Sequence, residues 1–246
     1  MLSKTHSKYI QSLHHKKQRD AGHVFVAEGN KTVAELIAAG NFTCKEIVAT
    51  ANWLQQNSMF LQKHYHGPVN EALPHEMEKI SSLATAGEVL AVFEKKQALP
   101  VEAKGKITLA LDAIQDPGNL GTIIRIADWF GVKNIVCSHN CADMYNPKTV
   151  QSTMGSLGRV NILYADINEW LQQNGHVAAY AAALNGKPLQ QFSTLKEGIL
   201  IIGNESKGIS SETMALCKEK ITIPKTGEAE SLNAAVATGI ILSHIV

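Results

Sequence analysis

Residues 107–130, ITLALDAIQDPGNLGTIIRIADWF, decide the fold class. Their first eight residues form a continuous apolar run, the pattern of a strand buried on both faces. A polar, glycine-bearing turn follows, and then a helical pattern over 120–130. The same strand–loop–helix unit recurs downstream. Further strands are expected at 134–138, 159–163, 177–182, 198–203 and 220–224, with helices at 147–152, 168–174, 210–217 and 232–244. Continuous Ile/Leu/Val strands alternating with helices imply a mostly parallel sheet covered on both faces.

Upstream, the polar run EKKQALPVEAKGK (94–106) carries Pro100 and Gly105 and has no periodicity, so it reads as a linker. The resulting boundaries are a first domain over 1–95, a linker over 96–106 and a second domain over 107–246. In the first domain, strands are expected at 24–27, 46–50 and 88–93. Helices are expected at 31–39, stopped by Gly40, at 52–57, and from Pro74. This is a small βαβ-type unit. Residues 3–17 form one helical arm with Ile10 and Leu13 on one face.

Composition narrows the function classes. The chain has 246 residues, 45% of them hydrophobic and 18% charged, which suits a folded globular protein with a sizeable core. No apolar run reaches the roughly 18 residues that span a bilayer, and the charged start lacks a secretory apolar region. Four scattered cysteines match neither a disulfide scaffold nor a zinc pattern, so a cytoplasmic, reducing setting and no metal are expected. Net charge is only +1, yet Lys4, Lys8, Lys16, Lys17 and Arg19 crowd the first twenty residues against a single acid, Asp20. Such an arm suits a phosphate backbone; a solvated helix face is the plain alternative.

In open parallel sheets, sites form beyond the carboxyl ends of strands. Three strand ends are loaded with small and polar residues: 112–121, leading into the helix of Arg125; Gly203-Asn-Glu-Ser-Lys-Gly208; and 224–233, leading into the last helix. Glycine there lets the backbone turn sharply or a ligand approach. The Gly203–Gly208 spacing mimics a phosphate-binding loop, but Ile209 and Ser210 stand where Lys and Ser/Thr are required. Gly118 and Gly121 do not make a dinucleotide fingerprint. Ser193-Thr-Leu-Lys196, Lys225-Thr-Gly227 and Ser231-Leu-Asn233 imitate serine β-lactamase elements in the wrong order and spacing. Arg125 lies in an otherwise apolar helix pattern, so it either pairs with Asp128 or another carboxylate, or points at a ligand. Asn119, Ser231 and Asn233 are also ordinary helix-cap candidates, and Glu205 could be a cap for 206–210.

Jointly these segments resemble the SpoU-type, TrmH-like RNA 2′-O-ribose methyltransferases of the SPOUT class. The resemblance rests on Asp116-Pro-Gly-Asn119-Leu-Gly121 with Arg125-x-Ala127, on Ile202 through Ser210, and on Ile223-Pro224 with Glu230-Ser231-Leu232-Asn233 through Ala237. Asn146-Pro-Lys148 through Met154-Gly155-Ser resembles an intermediate motif, in which Gln151 and Thr153 replace the usual Arg and Ser. Arg19 and Phe25-Val-Ala-Glu28-Gly29 resemble, more weakly, an accessory RNA-binding domain akin to ribosomal protein L30e. The resemblance implies an α/β fold whose C-terminal parallel-sheet domain closes in a trefoil knot, beside the small L30e-like domain. It implies S-adenosylmethionine as donor, bound at Gly203, Ile223 and Leu232, and a homodimer built through the C-terminal knot helices. It implies a catalytic set of Arg125, Asn119, Glu205, Ser231 and Asn233, with Arg125 as base or electrostatic clamp. The RNA substrate is expected to be ribosomal ahead of tRNA. The other reading is an RNA-binding module of the same fold without catalysis.

Overall fold

The computed structural model describes residues 2–246. The chain divides into two compact units, one made of residues up to 97 together with 145–159, the other of 98–144 and 160–246. The first unit begins with helices α1 (Lys4–Ser12) and α2 (Lys16–Ala21), then β1 (Val24–Glu28), α3 (Asn30–Ala39) and β2 (Cys44–Ala49). It continues through α4 (Ala51–Gln56), α5 (Ser58–His64), β3 (Val69–Glu71), α6 (Pro74–Ile80) and β4 (Val89–Glu94). Its sheet runs β1-β4-β2-β3. β4 is antiparallel to both neighbours, and only β2 and β3 run parallel. The expected βαβ order is therefore corrected: the last strand of the unit is inserted between the first two. Strand periodicity reports which face is buried, not which strand lies alongside.

The two faces of β1 follow its period of two. Val24 and Val26 pack with Ile10, Leu13, Ala72, Met77, Ile80, Leu90 and Val92. Phe25 faces the other way, stacked on Phe93 at 5.4 Å and tilted against Tyr145 at 4.8 Å between centroids. Burying such side chains contributes about 1.5–3 kcal/mol each. The arm is thus a docked element rather than a free tail, and it is two helices, not one. The break at 13–15 is held by Arg19, whose guanidinium Nη1 donates to the Leu13 carbonyl at 3.0 Å and the His14 carbonyl at 2.8 Å.

The excursion 145–159, with α8 (Pro147–Thr153), completes this unit. Arg159 Nη1 pairs with Glu35 Oε2 at 2.7 Å, and Asn41 Nδ2 donates to the Gly158 carbonyl at 2.7 Å. Gly155, at φ +93°, lies so close to Glu35 that a Cβ would strike its side chain.

The second unit contains β5 (Ile107–Asp112), α7 (Pro117–Trp129), β6 (Asn134–Ser138), β7 (Asn161–Ala165), α9 (Ile167–Gln173), β8 (Ala179–Pro188), β9 (Gly198–Gly203), α10 (Ser211–Ala215), β10 (Glu219–Thr222) and α11 (Ala234–Ile245). Its six-stranded sheet runs β10-β8-β9-β5-β6-β7, and every pair is parallel. From the central pair β5 and β9 the chain proceeds to opposite edges, which makes their carboxyl ends the switch point where α/β sheets hold ligands. α9 covers one face, with Ile167, Trp170 and Leu171 against Val136, Ile199 and Ile201. α11 packs against α7 and β9. Among the described residues no helix is long and apolar enough to cross a membrane.

Candidate active site

The site is built where β5 and β9 end. Leaving β5, Ala113 takes a positive φ of +57°, a conformation costly for a residue with a Cβ. It is held there from two sides. Its N–H donates to Ser138 Oγ at 2.9 Å, and its carbonyl accepts from Asn204 Nδ2 at 2.8 Å. The buried Asp112 carboxylate accepts from the Ser210 N–H at 2.8 Å. Asp116 then caps α7 by accepting from the Asn119 N–H at 2.8 Å, with Pro117 in the first turn.

The loop after β9 closes on itself. Asn204 and Gly208 exchange backbone hydrogen bonds of 3.0 and 2.9 Å, and Asn204 Oδ1 accepts from the N–H groups of Ser206 and Lys207. Gly203 is obligatory, because a Cβ there would collide with the backbone of Gly208 and Ile209. Asn233 ends the third loop and caps α11, accepting from the Ala235 N–H at 3.0 Å and the Val236 N–H at 3.3 Å.

One side-chain chain joins all three loops. Asn233 Nδ2 donates to Asn119 Oδ1 at 2.9 Å, and Asn119 Nδ2 donates to Glu205 Oε1 at 2.5 Å. Three of the five expected catalytic residues are therefore in direct contact. The other two are not joined to them. Arg125 is exposed on α7, and Ser231 is exposed in the third loop; among the described residues neither makes a hydrogen bond or ion pair. The pairing of Arg125 with Asp128 weighed from sequence is not seen. Gly203 and Ile223 are half-buried at the ends of β9 and β10, and Leu232 is exposed. Two hollows, of about 430 and 580 Å³, share no residue with these loops. The positioning roles of Asp112 and Asn204 were missed by sequence reasoning. Asn204 had a local signal, an Asn directly after a strand-ending glycine.

Lys4 and Lys8 on α1 and Lys16 and Lys17 on α2 are exposed. Arg19 is corrected: it is 1% exposed and engaged by backbone carbonyls, so it cannot meet a phosphate. Thr153 is fully buried, with its hydroxyl donating to the Val150 carbonyl at 2.7 Å. Gln151 is half-buried in the first unit. The described residues hold no cluster of His, Cys, Asp or Glu suited to a metal.

Comparison with known proteins matches two stretches of the chain. Residues 106–243 match the SpoU rRNA Methylase family, and residues 4–91 match the MRM3-like substrate binding domain. A Bacillus subtilis 23S rRNA (guanosine(2553)-2′-O)-methyltransferase is 37% identical over 147 residues, 58% of this chain and 59% of the relative. A Streptomyces viridochromogenes 23S rRNA (uridine(2479)-2′-O)-methyltransferase is 32% identical over 65% of this chain and 60% of its own length. The chain thus spans about three fifths of these two curated relatives. Among solved structures, a Porphyromonas gingivalis protein described as an RNA methyltransferase of the TrmH family superposes with a TM-score of 0.86 at 34% identity, over 99% of this chain and 97% of the other. An AdoMet-bound rRNA methyltransferase from Sinorhizobium meliloti gives 0.85 at 30% identity, over 98% and 95%.

Proposed function

The chain belongs to the SpoU rRNA methylase family, and from that premise we propose that it transfers the methyl group of S-adenosylmethionine to a ribose 2′-hydroxyl of ribosomal RNA. The observation that carries the proposal is the Asn233–Asn119–Glu205 chain, which draws the ends of three separate loops to one point beyond the sheet. All three loops carry the motifs on which the family resemblance rests, and no motif residue of the catalytic set is replaced.

The fit to the donor rests on the backbone. Gly203 leaves no room for a side chain and the Gly203–Gly208 loop is drawn tight; Ile223 follows the end of β10, and Leu232 is exposed just before α11. Gly203, Ile223 and Leu232 would hold the donor through main-chain groups and apolar contact, within the knotted C-terminal domain that the resemblance implies. When bound, the donor supplies an electrophilic methyl on a sulfonium. The chain's own residues must then align the ribose oxygen and help its proton leave. Ser231, exposed in the third loop, would offer its hydroxyl to the ribose. Asn119, locked between two partners, is a positioning group. Glu205 keeps its second oxygen for the loop or the ribose.

Arg125 is free to swing onto a substrate phosphate or the reacting oxygen. An arginine stays protonated at ordinary pH, so this role is charge stabilisation at the oxygen, with removal of the proton aided by the substrate phosphate. RNA would be gathered by Lys4, Lys8, Lys16 and Lys17 of the first domain (1–95) and methylated by the second (107–246). The working form would be a cytoplasmic homodimer. Trp129 of α7 is 83% exposed, and Val236 and Ile240 of α11 are 50% and 37% exposed; these apolar side chains are ones a symmetry mate would cover.

The test is incubation of the purified full chain with tritiated S-adenosylmethionine and unmodified ribosomal RNA, then mapping of alkali-resistant linkages. Label at one ribose position is expected. Donor binding without transfer to any RNA would favour the non-catalytic module.

A further inference from the structure

The second unit carries a patch of cations outside every role assigned so far. It lies at the sheet edge formed by β10, where β10 and β8 part. Glu219 and Lys220 pair with Tyr180 and Ala181; the register then jumps, and Ile221 and Thr222 pair with Lys187 and Pro188. Residues 182–186 of β8 are thereby thrown out as a bulge, a device that re-aims the side chains beside it. One hydroxyl pins the neck of the bulge. Thr222 Oγ1 donates to the Ala183 carbonyl at 2.8 Å and accepts from the Gly186 N–H at 2.5 Å. Gly186 is required there, since a Cβ would strike the backbone of Lys220.

The hollow of about 430 Å³ opens beside this neck. Its lining includes three lysines, Lys187, Lys218 and Lys220, against one acid, Glu219. Lys187 Nζ pairs with Glu219 Oε1 at 2.8 Å. Among the described residues Lys218 and Lys220 have no ion pair, so two ammonium groups line the hollow unneutralised. β8 alone separates β10 from β9, so the hollow stands about 10 Å across the sheet from the strand that ends in Gly203.

We propose that Lys187, Lys218 and Lys220 form a phosphate anchor for the RNA strand, built into the same unit as the Asn119 site. The identity of the ligand as RNA rests on the methyltransferase reading; the site itself rests on the bulge and its lysines. Lysine is a compact point charge on a flexible stem, which suits a backbone phosphate and reads no base. The hollow is open and far roomier than one phosphate, so it fits a passing strand. Lysines on an edge strand also keep sheets from pairing, but that duty needs neither a register break nor a pinned neck. An anchor on the unit that holds the site fixes the register of the strand against it, which is where positioning contributes to rate.

The test measures binding of the full-length protein to fluorescein-labelled oligouridylate by anisotropy across a salt series. Lys187→Gln, Lys218→Gln and Lys220→Gln combined should raise the Kd at least tenfold and flatten the slope of log Kd against log salt by up to about 2, at roughly 0.7 for each single-strand phosphate released. The melting temperature should stay within a few degrees. Lys104→Gln, Lys106→Gln and Lys133→Gln combined remove the same charge from exposed positions of the same unit away from the hollow, and should change the Kd less than threefold. Glu219→Gln frees Lys187 and removes the one acid, so it should tighten binding about threefold. That gain decides the matter if the first triple variant fails to fold. Native affinity and slope in the folded triple variant, equal weakening by the control triple, or no gain from Glu219→Gln overturns the anchor. Binding is read without methyl transfer. A protein that binds through the hollow but methylates no RNA fails the methyltransferase reading alone, and a methylating enzyme indifferent to the three lysines fails the anchor alone.

Discussion

Asn119 donates to Glu205 across 2.5 Å, joining residues 86 positions apart in sequence. A charge-assisted hydrogen bond of this kind is roughly twice as strong as a neutral one. It fixes the amide so that its oxygen faces Asn233. Replacing Asn119 by Asp sets two carboxylates against each other and leaves Asn233 as the only donor toward that position. Asn119→Asp is expected to lower kcat by about 10² while leaving the melting temperature within a few degrees. Glu205→Gln, which keeps an acceptor oxygen, should cost about tenfold or less. Steady-state kinetics on the methylated RNA checks both.

Arg125 makes no hydrogen bond or ion pair within the described residues, so removing it leaves no orphaned polar partner. Arg125→Ala should therefore keep the fold and the donor affinity while kcat falls by on the order of 10² or more. Arg125→Lys should not rescue, since an ammonium lacks the planar fork that can span a ribose oxygen and a phosphate. Near-native turnover by either variant would make Arg125 a surface charge and nothing more. Calorimetry with the donor and single-turnover kinetics separate these outcomes.

The basic residues of the arm divide into two kinds. Neutralising exposed Lys4, Lys8, Lys16 and Lys17 to Gln should raise the RNA KM, with a slope against log salt flattened by up to about 0.9 for each duplex phosphate no longer neutralised. Stability should hold. Arg19→Ala should do the opposite, costing about 1–3 kcal/mol by stripping the buried carbonyls of Leu13 and His14. Thermal melts beside RNA titrations distinguish the two.

Gly203→Ala places a methyl against the backbone of Gly208 and Ile209, which no side-chain rotation relieves. The loop must move. Donor affinity should fall at least tenfold, with the helix content of the protein unchanged by circular dichroism.

Trp129→Glu combined with Ile240→Glu puts charge at two exposed apolar positions, one on α7 and one on α11. Both side chains already face outward, so the substitutions leave the core of the unit in place. A homodimer by light scattering should become a monomer, with the secondary structure intact.

The parallel sheet was legible because its strands, buried on both faces, read as unbroken apolar runs. All six occur where expected, five within two residues at each end, and β8 runs on to Pro188, six residues past its expected end. The first unit was less legible. β3 is a three-residue edge strand with an exposed–intermediate–exposed pattern, carrying no signal above a loop. The break in the arm was hidden because its cause, the reach of Arg19 back to Leu13 and His14, is not a local propensity. The same residue shows why charge misled: an arginine among lysines reads as surface, yet two convergent carbonyls buried it. At the site, motif residues were legible one by one. Their mutual bonds were not, since Asn119, Glu205 and Asn233 meet only once the strand order is known.

The excursion of residues 145–159 into the first unit has a consequence for biosynthesis. Phe25 meets Tyr145 only after about fifty, and Glu35 meets Arg159 only after about sixty, further residues have been made beyond residue 97. At ordinary elongation rates that is a wait of roughly 3–12 s. During this interval the nascent first unit carries an uncovered aromatic face of Phe25 and Phe42, open to non-native contacts. For the same reason, cutting the gene at the linker yields a first fragment with a bare face and a second with a loose flap.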